Sequence, residues 1–105
     1  MQSEVWALRE GPFLRGVIYL NPKIEGYECQ FHAAVFDGKL FRCRAAICEI
    51  LQFYHGWRTV LALPGFVRTL RPFIEKKLGF KYESTLFNVI VWRKQLYNAE
   101  IFVRR

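Results

Sequence analysis

Three cations, Lys39, Arg42 and Arg44, stand at the start of an amphipathic run extending from Lys39 to His55. Positive charge at a helix N-terminus is mildly unfavourable, because the backbone dipole already leaves that end partly positive. Three such side chains there ask for an anion. A phosphate group fits that demand, held by the cations and by main-chain N–H groups that a first helical turn leaves unused. The same residues also suit a solvated first turn. Upstream, Glu28, Gln30 and His32 occupy one face of a segment whose alternate residues, Tyr27, Cys29, Phe31, Ala33 and Val35, occupy the other. Glu28 or His32 could act as a general base, taking a proton from an attacking nucleophile. Each could equally be a polar residue satisfied by its neighbours.

The elements that must position these groups follow from hydrophobic period and turn residues. Glu4–Arg9 and Phe13–Leu20 read as strands separated by the turn signal Glu10-Gly11-Pro12. Asn21-Pro22-Lys23 with Gly26 reads as the next connection, and Tyr27–Phe36 as a third strand, which predicts an antiparallel meander. Asp37 is placed to cap the helix that follows, in which Cys43, Ile47, Ile50, Leu51 and Tyr54 repeat on one face and which Gly56 ends. Arg58–Leu63 is a short, almost wholly apolar strand. A second helical pattern runs through Phe66, Leu70, Phe73, Ile74 and Leu78. Pro72 within it argues that regular helix begins near Thr69, with Thr69 as its cap and Gly79 as its stop. Phe80–Trp92 and Leu96–Val103 read as long strands joined by Arg93-Lys94-Gln95. The predicted order is βββ-α-β-α-ββ: an α/β (α+β) fold with a mixed, mostly antiparallel sheet flanked by two main helices.

Composition sets the bounds. A chain of 105 residues that is 52% hydrophobic and 17% aromatic can bury one core without covalent staples, so a single domain over residues 1–105 is expected and disorder is not. No apolar run approaches the roughly 18 to 20 residues that cross a membrane. The first residues, Met-Gln-Ser-Glu-Val-Trp, do not read as a signal peptide, so a cytoplasmic setting is expected. Three cysteines, Cys29, Cys43 and Cys48, with no C-x-x-C pair suggest thiols in a reducing compartment. Neither His32 nor His55 forms a zinc-ligand spacing with them, and no metal is expected. The net charge of +7 favours polyanionic partners or serves solubility.

This layout resembles the GNAT (Gcn5-related) acyltransferase fold, in the small version often encoded by phages. Glu4-Val-Trp-Ala-Leu-Arg-Glu with Arg15-Gly16-Val-Ile-Tyr-Leu is similar to that family's second and third strands. Ala34-Val35-Phe36 resembles the end of its fourth strand, and Glu75-Lys76-Lys77-Leu78-Gly79-Phe80-Lys81 the ending of its last helix. The family's first strand and first two helices, which shape the acceptor side, have no counterpart. The resemblance implies acetyl-CoA, or another acyl-CoA, lying between strands Tyr27–Phe36 and Arg58–Leu63, with main-chain groups pairing its amides. Its pyrophosphate would sit at the following helix start, written Q/R-x-x-G-x-G/A in the family. On this chain that motif falls on Leu40-Phe41-Arg42-Cys43-Arg44-Ala45, where only Ala45 fits and Cys43 replaces the first glycine. The implied cofactor contacts are Val35, Phe36, Lys39, Arg42, Cys43, Arg44 and Ala45.

The resemblance also implies chemistry: an amine attacks the thioester, a carboxylate or water takes the ammonium proton, and a tyrosine in the last helix often protonates the departing thiolate. Here that tyrosine position falls near Glu75, with Phe73 one turn away. Three readings compete: a small acyl-CoA-dependent N-acyltransferase acting on an unspecified amine, a catalytically inactive GNAT-fold interaction or virion-associated protein, and a nucleic-acid-binding module using Trp92 and Tyr97 as stacking platforms. With one flank of the sheet lacking its usual cover, Trp6 and Phe13 could meet a second copy in a homodimer.

Overall fold

The computed structural model describes residues 3–35 and 39–105. Phe36 and Asp37, expected as a cofactor contact and a helix cap, lie outside the described residues. The chain divides into two compact units, Met1–Thr59 with Arg105, and Val60–Arg104.

In the first unit, β1 (Glu4–Glu10), β2 (Phe13–Ile24) and β3 (Glu28–Val35) form the expected antiparallel meander. Alternation puts Ile18 and Leu20 of β2 and Cys29 and Phe31 of β3 on one buried face, with Leu20 directly opposite Phe31. β2 runs four residues past its expected end. Asn21 and Pro22 pair with Gln30 and Cys29, the ladder shifts register between Pro22 and Ile24, and Glu25–Tyr27 make the turn. A proline is tolerated there because the irregular register removes the need for its missing N–H. Gly16 is required where it stands: a Cβ would meet the Ala34 carbonyl oxygen at 2.3 Å.

The expected first helix is divided. A 3₁₀ turn, Leu40–Cys43, precedes α1 (Arg44–Gln52), and neither start has a side-chain cap. Ile47, Ile50, Leu51 and Tyr54 are buried, as their spacing predicts. The helix ends before Gly56. Tyr54 N–H to Leu51 O and His55 N–H to Gln52 O continue it as tighter turns, which keeps Tyr54 on the buried face. β4 (Arg58–Pro64) starts beside β3: Arg58 N–H donates to Tyr27 O at 2.6 Å, and the Cys29 thiol meets the Thr59 hydroxyl at 3.4 Å.

The second unit holds the rest of β4, a 3₁₀ segment Gly65–Leu70, α2 (Arg71–Lys76), β5 (Lys81–Trp92) and β6 (Gln95–Arg104). Thr69 is not the cap of α2. Leu70 holds that position without a side-chain bond, and Pro72 sits in the first turn, where its missing N–H costs nothing. Leu61, Leu63, Ile74, Leu78, Phe80 and Phe102 are buried. Arg93 and Lys94, at φ 50° and 62°, form a two-residue hairpin turn, and Gln95 already pairs with Trp92. Gly79, at φ 78°, reverses the chain after α2, and Phe80 N–H reaches back to Ile74 O. The six strands follow the order β1-β2-β3-β4-β6-β5 in a mixed, mostly antiparallel sheet.

Candidate functional site

The β1–β2 hairpin and the start of the helical segment together enclose a cavity of about 190 Å³ in the first unit. Five of the expected cofactor contacts line it: Val35, Lys39, Arg42, Cys43 and Ala45. Arg44 is exposed and does not line it. The split follows from spacing: residues two apart leave a helical segment on different sides, so with Arg42 at the cavity Arg44 points away from it.

The remaining wall comes from residues that local pattern does not flag. Leu8, Arg9 and Glu10 arrive from β1 and Arg15 from β2. A register irregularity between Leu8 and Arg9 re-aims the end of β1. Arg15 Nη2 donates to Glu10 Oε1 at 2.7 Å, so the cavity's one carboxylate is already matched, and Arg9, Lys39 and Arg42 bring further basic side chains to the lining. Arg9 and Arg42 make no ion pair among the described residues. No acidic residue stands in the first turn of either helical segment. Such a cavity, with uncapped N–H groups and guanidinium groups outside any ion pair, has the chemistry to hold an anion.

The two candidate bases lie on β3. Glu28 is half-buried, and its Oε1 accepts a hydrogen bond from Arg58 Nη1 at 3.1 Å. His32 is exposed, with its ring tilted against Tyr19 at 5.7 Å between centroids. Neither lines the basic cavity. Behind them, burial pushes the Cys29 thiol above its ordinary range despite the Thr59 hydrogen bond.

In the second unit, Arg71 takes up the charge near the expected acid position. It binds Glu75 at 2.5 Å and Glu100 at 2.6 Å, and its guanidinium lies 4.9 Å from the Tyr82 ring and 5.5 Å from that of Phe102. Trp92 and Tyr97, considered as base-stacking platforms, both pack on Phe66, at 5.3 and 5.2 Å.

No family model and no curated protein matches the sequence. Solved structures do match the fold. A mutant form of the spermidine/spermine N-acetyltransferase SpeG from Vibrio cholerae superposes with a TM-score of 0.80 at 14% identity, covering 97% of this chain and 66% of that one. A protein from Streptococcus mutans UA159 gives 0.78 at 15%, with 97% and 69% covered. A probable acetyltransferase from Staphylococcus epidermidis gives 0.74 at 10%, with 97% and 67% covered. For a chimera of SpeG and hSSAT the share of that chain is 65%, so this chain spans about two thirds of such proteins. The chain has the GNAT fold. No helix among the described residues is long and apolar enough to cross a membrane.

Proposed function

We infer that the chain is a small acyl-CoA-dependent N-acyltransferase that moves an acetyl group from acetyl-CoA to an amine. The observation carrying this reading is the basic cavity at the uncapped start of the helical segment that follows β3. Arg9, Arg15, Lys39 and Arg42 would hold phosphate groups of the coenzyme as charge-assisted donors. At about 190 Å³ the cavity suits a phosphoryl group, and it falls below the roughly 300–1,000 Å³ of sites that enclose a drug-sized ligand. Cys43 puts a side chain where the fold's usual glycine gives phosphate oxygens access to the backbone, which shifts the work onto the side-chain cations. When bound, acetyl-CoA supplies the activated acyl carbonyl. On the protein side, His32 is the accessible base, and Glu28 would serve once Arg58 releases it.

Thermal shift tests the reading, because a ligand confined to the folded state stabilises it by about 2.7 kcal/mol at 100 times its Kd. Acetyl-CoA and CoA should raise Tm by several degrees, whereas acetyl-pantetheine, which lacks the phosphates, should not. No response to acetyl-CoA at millimolar concentration overturns the proposal.

One observation favours a second reading, a GNAT fold that binds the coenzyme without transfer. Glu28, the candidate carboxylate base, is engaged by Arg58, and Glu75, where the family's tyrosine would stand, by Arg71. A thermal shift with no amine-dependent release of free CoA thiol would select it.

A further inference from the structure

At the opposite end of α1 the first unit has a concavity of contrasting character, about 480 Å³ in volume. Four aromatic rings line it as two pairs: Trp6 stacks on Phe53 at 5.5 Å, and Tyr54 meets Trp57 edge-on at 5.2 Å. Two carboxylates, Glu4 and Glu25, share the lining. Trp6 Nε1 donates to Glu4 Oε2 at 3.2 Å, which fixes that carboxylate beside the rings. Neither Glu4 nor Glu25 is ion-paired among the described residues, although the chain carries a net charge of +7.

Tyr54 supplies an independent sign. The residue is 4% exposed; its hydroxyl interacts with the Glu4 carboxylate but completes no hydrogen bond of normal geometry among the described residues, and its oxygen accepts none. A buried polar atom left without a partner costs about 1–3 kcal/mol, so native structures nearly always satisfy it. The last turn of α1 carries no basic residue, so its partly negative end is also uncompensated.

We propose that this concavity is a binding site for a primary alkylammonium ion. The ring faces attract a cation through their quadrupoles, and Glu4 and Glu25 balance its charge. An ammonium N–H gives the Tyr54 oxygen the donor it lacks, and the alkyl chain covers the rings. A quaternary ammonium would gain the first two interactions without the third. A bare divalent metal is a poor match, because hard cations need six or more oxygen ligands and indole rings provide none.

The test is a titration of the whole chain with n-butylammonium chloride, followed by the indole N–H signals in ¹H–¹⁵N spectra. Trp6 and Trp57 line the concavity and Trp92 does not. The first two should shift saturably and the third stay fixed. Glu4→Gln should weaken binding about tenfold, a loss of about 1.4 kcal/mol. Glu25→Gln, in an exposed turn, should do the same without disturbing the fold, and Tyr54→Phe should weaken n-butylammonium more than tetramethylammonium. Equal shifts with n-pentanol would show a merely apolar groove, and equal shifts with sodium chloride an effect of ionic strength. Either result overturns the proposal, as does a titration unchanged in both Gln variants.

Discussion

The two ends of α1 are charged in the reverse of what a helix prefers. Lys39, Arg42 and Arg44 crowd its partly positive start, and Glu4 and Glu25 flank its partly negative end. Each misplaced charge costs about 0.3–1 kcal/mol when nothing answers it. A helix selected for stability alone would carry the opposite pattern. The arrangement makes sense when each end is completed by a counter-ion, an anion at the start and an organic cation at the finish. The ends differ in how they are built. The start relies on flexible cations around a small cavity, whereas the finish relies on rigid rings around a larger one.

The strongest way to break this comparison is to remove the helix that joins the two ends. Leu51→Ala deletes a fully buried side chain and should cost about 2–5 kcal/mol in urea unfolding, with both ends losing their ligands together. Ligand responses that separate in this variant would show that the ends do not share the helix as a support. Gly16→Ala is next, at about 1–3 kcal/mol, because the new Cβ strikes the Ala34 carbonyl. Gly16 pairs with Leu8 on one side and Val35 on the other, both of which line the basic cavity. Its coenzyme response should therefore fall while the indole shifts of Trp6 and Trp57 persist.

A smaller change sharpens the basic end. Arg9→Ala and Arg42→Ala should each weaken acetyl-CoA binding about tenfold, as expected for loss of a charge-assisted contact, whereas Arg44→Ala should leave the thermal shift within error. An equal loss on changing Arg44 would move the anion out of the cavity and onto the exposed helix face.

The smallest effect concerns pH at the aromatic end. Burial, followed by the Glu4 carboxylate, raises the Tyr54 pKa above its ordinary 10. A raised folded-state pKa means that the unfolded chain gives up the proton first, so the associated stability is complete below pH 10 and is lost as pH climbs beyond it. Urea midpoints should decline between pH 9.5 and pH 11, and Tyr54→Phe should flatten that decline. An identical slope in the variant would remove Tyr54 as its source. Cys29, also raised by burial from 9.0, adds to the decline in the same direction.

What the sequence made legible divides along the same lines. Ile47, Ile50, Leu51 and Tyr54 announced the buried face of α1 because helical period is a local property. Leu8-to-Arg15 was legible as a hairpin but not as a cavity wall, because Arg9 reaches the site through strand register and an irregular pairing, which no local window encodes. Arg44 misled for a simpler reason: two residues from Arg42, it leaves the helical segment on a different side, so both cannot face one cavity. Thr69 looked like a cap by residue type, but Pro72 requires only that α2 start close before it, and Arg71 is that start. The aromatic concavity went unseen because Trp6, Glu25 and Trp57 are far apart in the chain and no local spacing links them.

In the second unit a single residue, Arg71, gathers ion pairs around α2. Six residues are too few for a helix to persist alone in water. One guanidinium nonetheless joins α2 to its own Glu75, to Glu100 on β6, and to the rings of Tyr82 and Phe102 on the two hairpin strands. α2 therefore borrows its permanence from the β5–β6 ribbon. The amides of the helix and the ribbon should trade their hydrogens for deuterium as a single block, with no separate fraying of the shorter partner.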